Sequence, residues 1–271
     1  MNERDRHREH SAPRERPDAK QRRTAELRVF GLNACLAVFA RRPQAIRKIY
    51  LTQQRLPALR DVLAWCARER IGYRMVEAAD LEKLTRSDHH EGVCFEVLRE
   101  APLSLASFLK AQRGDKPSWL VLLDGVGNPH NFGAVLRLAA HFGADAVLLP
   151  PGSSLALSGA ACRVAEGGAE QVPLVSLDDL GGAIAALVRA NYRVVATVVR
   201  EGEDLYAAPL PRRAVFVFGA EGAGLSPALR TAAQRRVRIP GTGAVESLNI
   251  ATAVAVVAAE FWRQYHPGAA R

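Results

Sequence analysis

Three loops carry side chains suited to chemistry on a polar substrate, and each follows an apolar run that reads as a strand. The first, Asp124-Gly125-Val126-Gly127-Asn128-Pro129-His130-Asn131-Phe132-Gly133-Ala134, runs into a helix that carries Arg137. Asn131 lies near the helix start, where a side-chain oxygen can cap orphan amides, and Arg137 falls on a similar face. Taken by itself, this loop is more simply explained as an N-cap followed by a surface arginine. The second, Gly219-Ala220-Glu221-Gly222-Ala223-Gly224-Leu225-Ser226, has glycines that let backbone amides approach a ligand and permit positive φ. The third runs from Ile239 through Gly241, Thr242, Gly243, Ser247 and Leu248 to Asn249, ahead of a helix of small apolar residues. Ser247 or Asn249 capping that helix, and its small face lying in a core, account for it alone. Open α/β sheets place ligands at the carboxyl ends of their strands, where all three loops stand.

The elements around these loops alternate. Strands are predicted over 119–123, 146–149, 173–175, 193–198, 214–218 and 237–239, and helices over 131–142, 158–166, 177–190, 227–233 and 248–265. Strands separated by helices need crossover connections, so this is an α/β unit with a mostly parallel sheet covered on both faces. A smaller α/β unit precedes it. From Leu27 the apolar spacing suggests a helix followed by a strand, then a helix over 56–70, a strand over 73–76, a helix over 79–85 and a strand over 93–97. The organisation read from the chain is therefore a tail over 1–23, a small unit over 24–98, a connection over 99–116 with one short helical piece, and a larger unit over 117–266. The tail has almost no apolar side chains and interleaves arginine with acids, which predicts disorder. A loose RNA-gripping arm and a solubilising leader fit it equally.

Composition narrows the partners. The chain has 271 residues, 48% hydrophobic and 24% charged, which is globular, and two cores fit that length. A formal charge of +9 favours phosphate-rich partners, nucleic acid above all. Cys35, Cys66, Cys94 and Cys162 lie far apart, without a C-x-x-C pair, so neither a zinc ribbon nor a disulfide scaffold is suggested and a reduced cytoplasm fits. The N-terminus lacks an apolar leader and the longest apolar run, near 248–259, is too short to span a bilayer, so no membrane partner is expected. His89 and His90 have no accompanying ligand cluster, and no metal is expected. The G-x-x-G-x-G order at Gly219 is not the dinucleotide fingerprint, which weakens a nicotinamide-binding reading.

Together the three loops resemble the motifs of the SpoU (TrmH-like) branch of the SPOUT RNA ribose 2′-O-methyltransferases, over about residues 119–264. The smaller unit is similar to that family's substrate-binding domain of ribosomal L30e-like fold, through Val29-Phe30-Gly31-Leu32-Asn33-Ala34 and His90-Glu91-Gly92-Val93. The resemblance implies a trefoil-knot catalytic domain, a homodimer with the helix after Ser247 as candidate surface, and ribosomal or transfer RNA as substrate. It implies S-adenosylmethionine held by backbone at Gly219, Ile239 and Leu248, with Thr197, Phe218, Glu221 and Gly222 nearby. Catalysis falls to Arg137, with Asn131, Glu221, Ser247 and Asn249 around it. Guanidinium stays protonated, so Arg137 is expected to position phosphate or stabilise an oxyanion, and the proton acceptor is open. The sequence departs from the common pattern at Asn128, where aspartate is frequent, and at Ala165-Glu166-Gly167-Gly168, where a serine often precedes Gly-Ala. Two alternatives remain: a non-catalytic RNA-binding protein of the same fold, and methylation of a base nitrogen.

Overall fold

The computed structural model describes residues 26–266 apart from 113, 115 and 221; the tail expected over 1–23 lies outside the described residues. The first unit holds β1 (Glu26–Phe30), α1 (Leu32–Arg41), β2 (Ile46–Leu51), α2 (Arg60–Glu69), β3 (Gly72–Met75), α3 (Ala78–Thr85) and β4 (Val93–Leu98). Its sheet runs β1-β4-β2-β3, with β4 antiparallel to both neighbours and β2 parallel to β3. The expectation of a helix directly from Leu27 is corrected here. Residues 26–30 pair along β4 and bury Leu27, Val29 and Phe30, and Gly31 at φ 91 turns the chain before α1 starts. Only a glycine takes that dihedral at no steric cost.

The second sheet is wholly parallel. Its strands are β5 (Leu103–Ser104), β6 (Ser118–Asp124), β7 (Ala146–Leu149), β8 (Leu174–Ser176), β9 (Arg193–Thr197), β10 (Glu203–Asp204), β11 (Arg213–Gly219) and β12 (Arg235–Arg238), in the order β10-β12-β9-β11-β6-β7-β8-β5. The connecting helices are α4 (Leu105–Ala111), α5 (Pro129–His141), α6 (Gly159–Ala165), α7 (Leu180–Arg189), α8 (Pro227–Ala232) and α9 (Ile250–Tyr265). The expected α/β class with a mostly parallel sheet is what the chain adopts. Central strands β6 and β11 are buried along nearly their whole length, as a sheet covered on both faces requires. One face packs on α5 and α9 through Trp119, Phe132, Phe216 and Phe261; the other carries Leu120, Leu187, Tyr192 and Val217.

The stretch 99–116 does more than connect. Leu103 and Ser104 pair with Val175 and Ser176, so it supplies an edge strand as well as the expected short helix. Two residues cannot display the alternation by which a strand is read, and pairing with β8 is what makes them one.

The two units meet along α6 and the turn that follows it. Arg42, the residue after α1, makes a two-pronged ion pair with Glu170, at 2.7 and 2.8 Å, and both side chains are less than a tenth exposed. Cys162 of α6 lies in the core of the first unit, beside Cys35 and Val38. Gly159 passes so close to β1 that a Cβ there would stand 2.5 Å from the carbonyl oxygen of Arg28.

Candidate active site

Strands β6 and β11 are parallel neighbours in register, with Asp124 opposite Gly219, so the first two loops leave the sheet side by side. The Asp124 carboxylate then ties them: its Oδ2 accepts from the Ser226 amide at 2.6 Å, across both loops. A charge-assisted bond of this length is among the stronger kinds. Gly219 opens a tight turn closed by a bridge between Ala220 and Gly224, where the Gly224 amide donates to Ala220 at 2.8 Å. A Cβ on Gly219 would lie 2.3 Å from the Gly224 carbonyl carbon, so no other residue fits without moving backbone.

The third loop comes back to the first. β12 pairs with β9, Val237 opposite Thr197, and delivers Ile239 to the same carboxyl edge of the sheet. The chain then crosses to α9. Asn249 caps that helix through its Oδ1, which accepts from Ala251 at 2.9 Å, while its Nδ2 donates to Asn131 Oδ1 at 3.1 Å. One amide thus ends the loop and fastens α9 to α5.

Asn131 is released for this contact because it is not the helix cap. Asn128 is, with Oδ1 accepting from His130 at 2.8 Å and from Asn131 at 3.4 Å, and Pro129 takes the first helical position. The expectation that Asn131 could cap α5 is corrected accordingly, and the asparagine at 128 retains the acceptor an aspartate would offer. Arg137 lies further along the same helix and is exposed.

The remaining expected residues divide by what they present. Phe218 is buried in the core, and the Thr197 hydroxyl donates to the Val217 carbonyl at 2.8 Å, so both brace the edge from within the sheet. Gly222 sits at φ 82 with open space at its Cβ position, a glycine demanded by the turn and not by a neighbour. Ser247 is exposed, and Val245 and Leu248 leave 72% and 42% of themselves in water, an unusual outlay of apolar surface in one loop. Glu221 lies outside the described residues. A cleft of about 430 Å³ opens beside the first loop, walled by Asp124, Val126, Pro150, Ser154 and Leu180.

Sequence reasoning gave no role to Asp124 or Glu166. A carboxylate ending an apolar strand was the available signal for the first. Glu166 pairs with residues far away in the chain, and no local pattern announces that. Burial pushes its carboxyl upward, yet hydrogen bonds from Asn33 and Arg163 and the charges of Arg163 and Arg137 hold it below the usual glutamate range. The cysteines offer no nucleophile: burial pushes Cys94 and Cys162 up to about 12. Among the described residues no group of His, Cys, Asp and Glu could hold a metal ion, and no helix is long and apolar enough to cross a membrane. His90 instead accepts from the Gly92 amide through Nδ1 at 2.9 Å.

Residues 118–259, more than half of the chain, match the family described as SpoU rRNA methylase. The chain belongs to the SpoU family. Residues 28–102 match a second description, RNA 2′-O ribose methyltransferase substrate binding, so the family resemblance read from both units is borne out. Among relatives, the chain is 38% identical to the uncharacterized tRNA/rRNA methyltransferase YfiF of Escherichia coli O157:H7, across 90% of this chain and 70% of that one. It is 32% identical to the 23S rRNA (guanosine-2′-O-)-methyltransferase RlmB of Pseudomonas putida, across 88% of this chain and 96% of that one. A crystal structure of an RNA 2′-O ribose methyltransferase superimposes with a TM-score of 0.73 at 25% identity, covering 91% of this chain and 92% of the other. The SpoU match begins at β6 and ends within α9, so all three loops fall inside it.

Proposed function

We propose that this chain transfers a methyl group from S-adenosylmethionine to a ribose 2′-hydroxyl of ribosomal or transfer RNA. The observation that carries the reading is the Asn249–Asn131 hydrogen bond, which draws the third loop and the helix of Arg137 together beside the Gly219 turn. The residues present fit the cofactor. A glycine turn leaves backbone groups at the sheet edge, and Val245 and Leu248 offer exposed apolar surface in the loop that leaves the same edge after β12. Gly219, Ile239 and Leu248 would hold it through their backbone, braced by Thr197, Phe218 and Gly222. When bound, it supplies an electrophilic methyl carbon on a sulfonium.

A guanidinium is a poor proton acceptor, so Arg137 serves by placing an RNA phosphate or by stabilising charge that develops on the ribose oxygen. Asn131 and Asn249 keep its helix fixed against the loop, Ser247 stands with them in the catalytic set, and Glu221 joins that set on the family resemblance alone. Residues 24–98 are the RNA-gripping unit in this reading, and 117–266 the catalytic one. A formal charge of +9 favours RNA approach. A knotted course of the last segment, pairing of two copies through α9 and residence in the cytoplasm belong to the same reading.

The test is mass spectrometry of ribose-methylated nucleosides in ribosomal and transfer RNA from cells with and without the gene. Loss of one 2′-O-methyl nucleoside is expected. Loss of a base-methylated nucleoside instead would overturn the choice of acceptor.

A further inference from the structure

Residues 166–168 form a wedge between the two units. Glu166 ends α6 in the left-handed region at φ 50, and Gly167 follows at φ 92. Toward the first unit, a Cβ on Gly167 would stand 3.0 Å from Ala37 Cβ and 3.4 Å from the carbonyl oxygen of Asn33, both in α1. Toward the second, a Cβ on Gly168 would stand 2.7 Å from the Leu136 carbonyl oxygen and 2.9 Å from Arg137 Cα, both in α5. The turn is fitted to both helices, and packing this close leaves little slack between them.

The Glu166 side chain bridges the same elements. Its Oε2 accepts from Asn33 Nδ2 at 2.6 Å, and its Oε1 accepts from Arg163. Arg163 is itself pinned to the first unit, by Glu91 Oε1 at 2.5 Å and the His89 carbonyl at 3.0 Å. Glu91 closes the circuit by accepting from the Leu32 amide, at the start of α1, at 2.8 Å. Arg137 stands near enough for its charge to favour the ionised Glu166 carboxyl. Gly168, two residues on, packs on the Arg137 backbone, so where the turn is held sets where the root of that exposed side chain lies.

We propose that Glu166 is a positioning residue whose carboxylate, fixed by Asn33 and Arg163, holds the 166–168 turn against the Arg137 backbone and so ties docking of the first unit to methyl transfer. This rests on the role given to Arg137 above. It also gives a use to a position where the sequence departs from the pattern it resembles. A residue that links units need not touch the RNA or the cofactor.

The experiment is label transfer from radioactive S-adenosylmethionine to total RNA of cells lacking the gene, with kcat and KM measured for the full chain. Glu166→Gln is expected to lower kcat about tenfold while KM for the cofactor moves by less than about twofold. Asn33→Ala should lower kcat less, and the double variant should be no worse than Glu166→Gln alone, because both act through one carboxylate. Glu170→Gln loosens the same seam without facing Arg137, and its kcat should stay within about twofold of wild type. Wild-type kcat in Glu166→Gln overturns the proposal, as does an equal loss in Glu170→Gln. If Glu166→Gln does not fold, Asn33→Ala decides by the same comparison with Glu170→Gln. If the wild-type chain itself transfers no label, the functional reading falls and takes this inference with it; wild-type transfer matched by Glu166→Gln sinks this inference alone.

Discussion

The carboxyl edge of the second sheet and the seam between the units differ in how deeply they hold their charges. At the edge, the contacts that join the loops among the described residues are an amide pair between Asn249 and Asn131, a glycine turn at Gly219, a carboxylate bond from Asp124 to a backbone amide, and an exposed ion pair between Arg200 and Glu246. At the seam, arginines meet glutamates, with Arg42 on Glu170 and Arg163 on Glu91 and Glu166. The edge leaves backbone and one arginine available to ligands; the seam consumes its charges internally. The difference teaches where each kind of substitution should register: edge changes in turnover and seam changes in stability, with Glu166, whose turn packs on the Arg137 backbone, registering in both.

The largest effect expected is at the edge. Arg137→Ala should cut methyl transfer by roughly a hundredfold to ten-thousandfold, the range for groups that stabilise charge in the transition state, without unfolding the chain. Calorimetry with S-adenosylmethionine should show cofactor binding intact. Lost binding in a folded variant would move Arg137 from the RNA side of the site to the cofactor side and blur the contrast.

Next comes the seam. Glu170→Ala leaves the buried Arg42 guanidinium with only the exposed Glu100 carboxylate, at 3.9 Å, and breaking a buried pair costs about 3–5 kcal/mol. Thermal unfolding should show a large fall in Tm. A small fall would mean that water reaches Arg42 and that the seam opens more readily than its burial implies.

These regions also differ in how far the sequence disclosed them. The strands β6 and β11 were visible as unbroken apolar runs, and the loops after them as glycine and asparagine clusters, because local composition reports local geometry. The edge strand at Leu103 and Ser104 was not, since two residues carry no period and owe their conformation to β8. The start of the first unit was misread as a helix because Val29 and Phe30 run into α1 with only Gly31 between them. The seam was silent altogether: Glu166 and Asn33 are 133 positions apart, and only the fold makes them partners. At the site itself, Arg137 and Asn249 could be chosen by motif, whereas the choice between Asn128 and Asn131 as cap needed the actual helix start.

A pH titration sharpens the seam. The carboxyl of Glu166 is lowered in the folded state, so it contributes stability above its unfolded pKa, and that contribution is lost as pH falls through the folded value. Tm should therefore decline on acidification below about pH 4.5 more steeply for wild type than for Glu166→Gln, whose side chain does not titrate. Parallel curves would mean that Asn33 and Arg163 hold the carboxylate no better than water does.

The smallest effects test whether the edge depends on charge or only on hydrogen bonds. Asn128→Ala removes the acceptor that caps α5 and should cost about 1 kcal/mol. Asn128→Asp keeps the acceptor and adds negative charge at a helix N-terminus, which is favourable by about 0.3–1 kcal/mol, so its Tm should equal or exceed that of wild type. If cap geometry is all that position 128 supplies, kcat for label transfer should follow Tm through both variants, falling slightly in one and holding in the other. A fall in kcat for Asn128→Asp with Tm intact would show that the added charge repels RNA phosphate near Asn131 and Arg137. The neutral side chain at position 128 would then be a requirement of the substrate and not an accident of the chain.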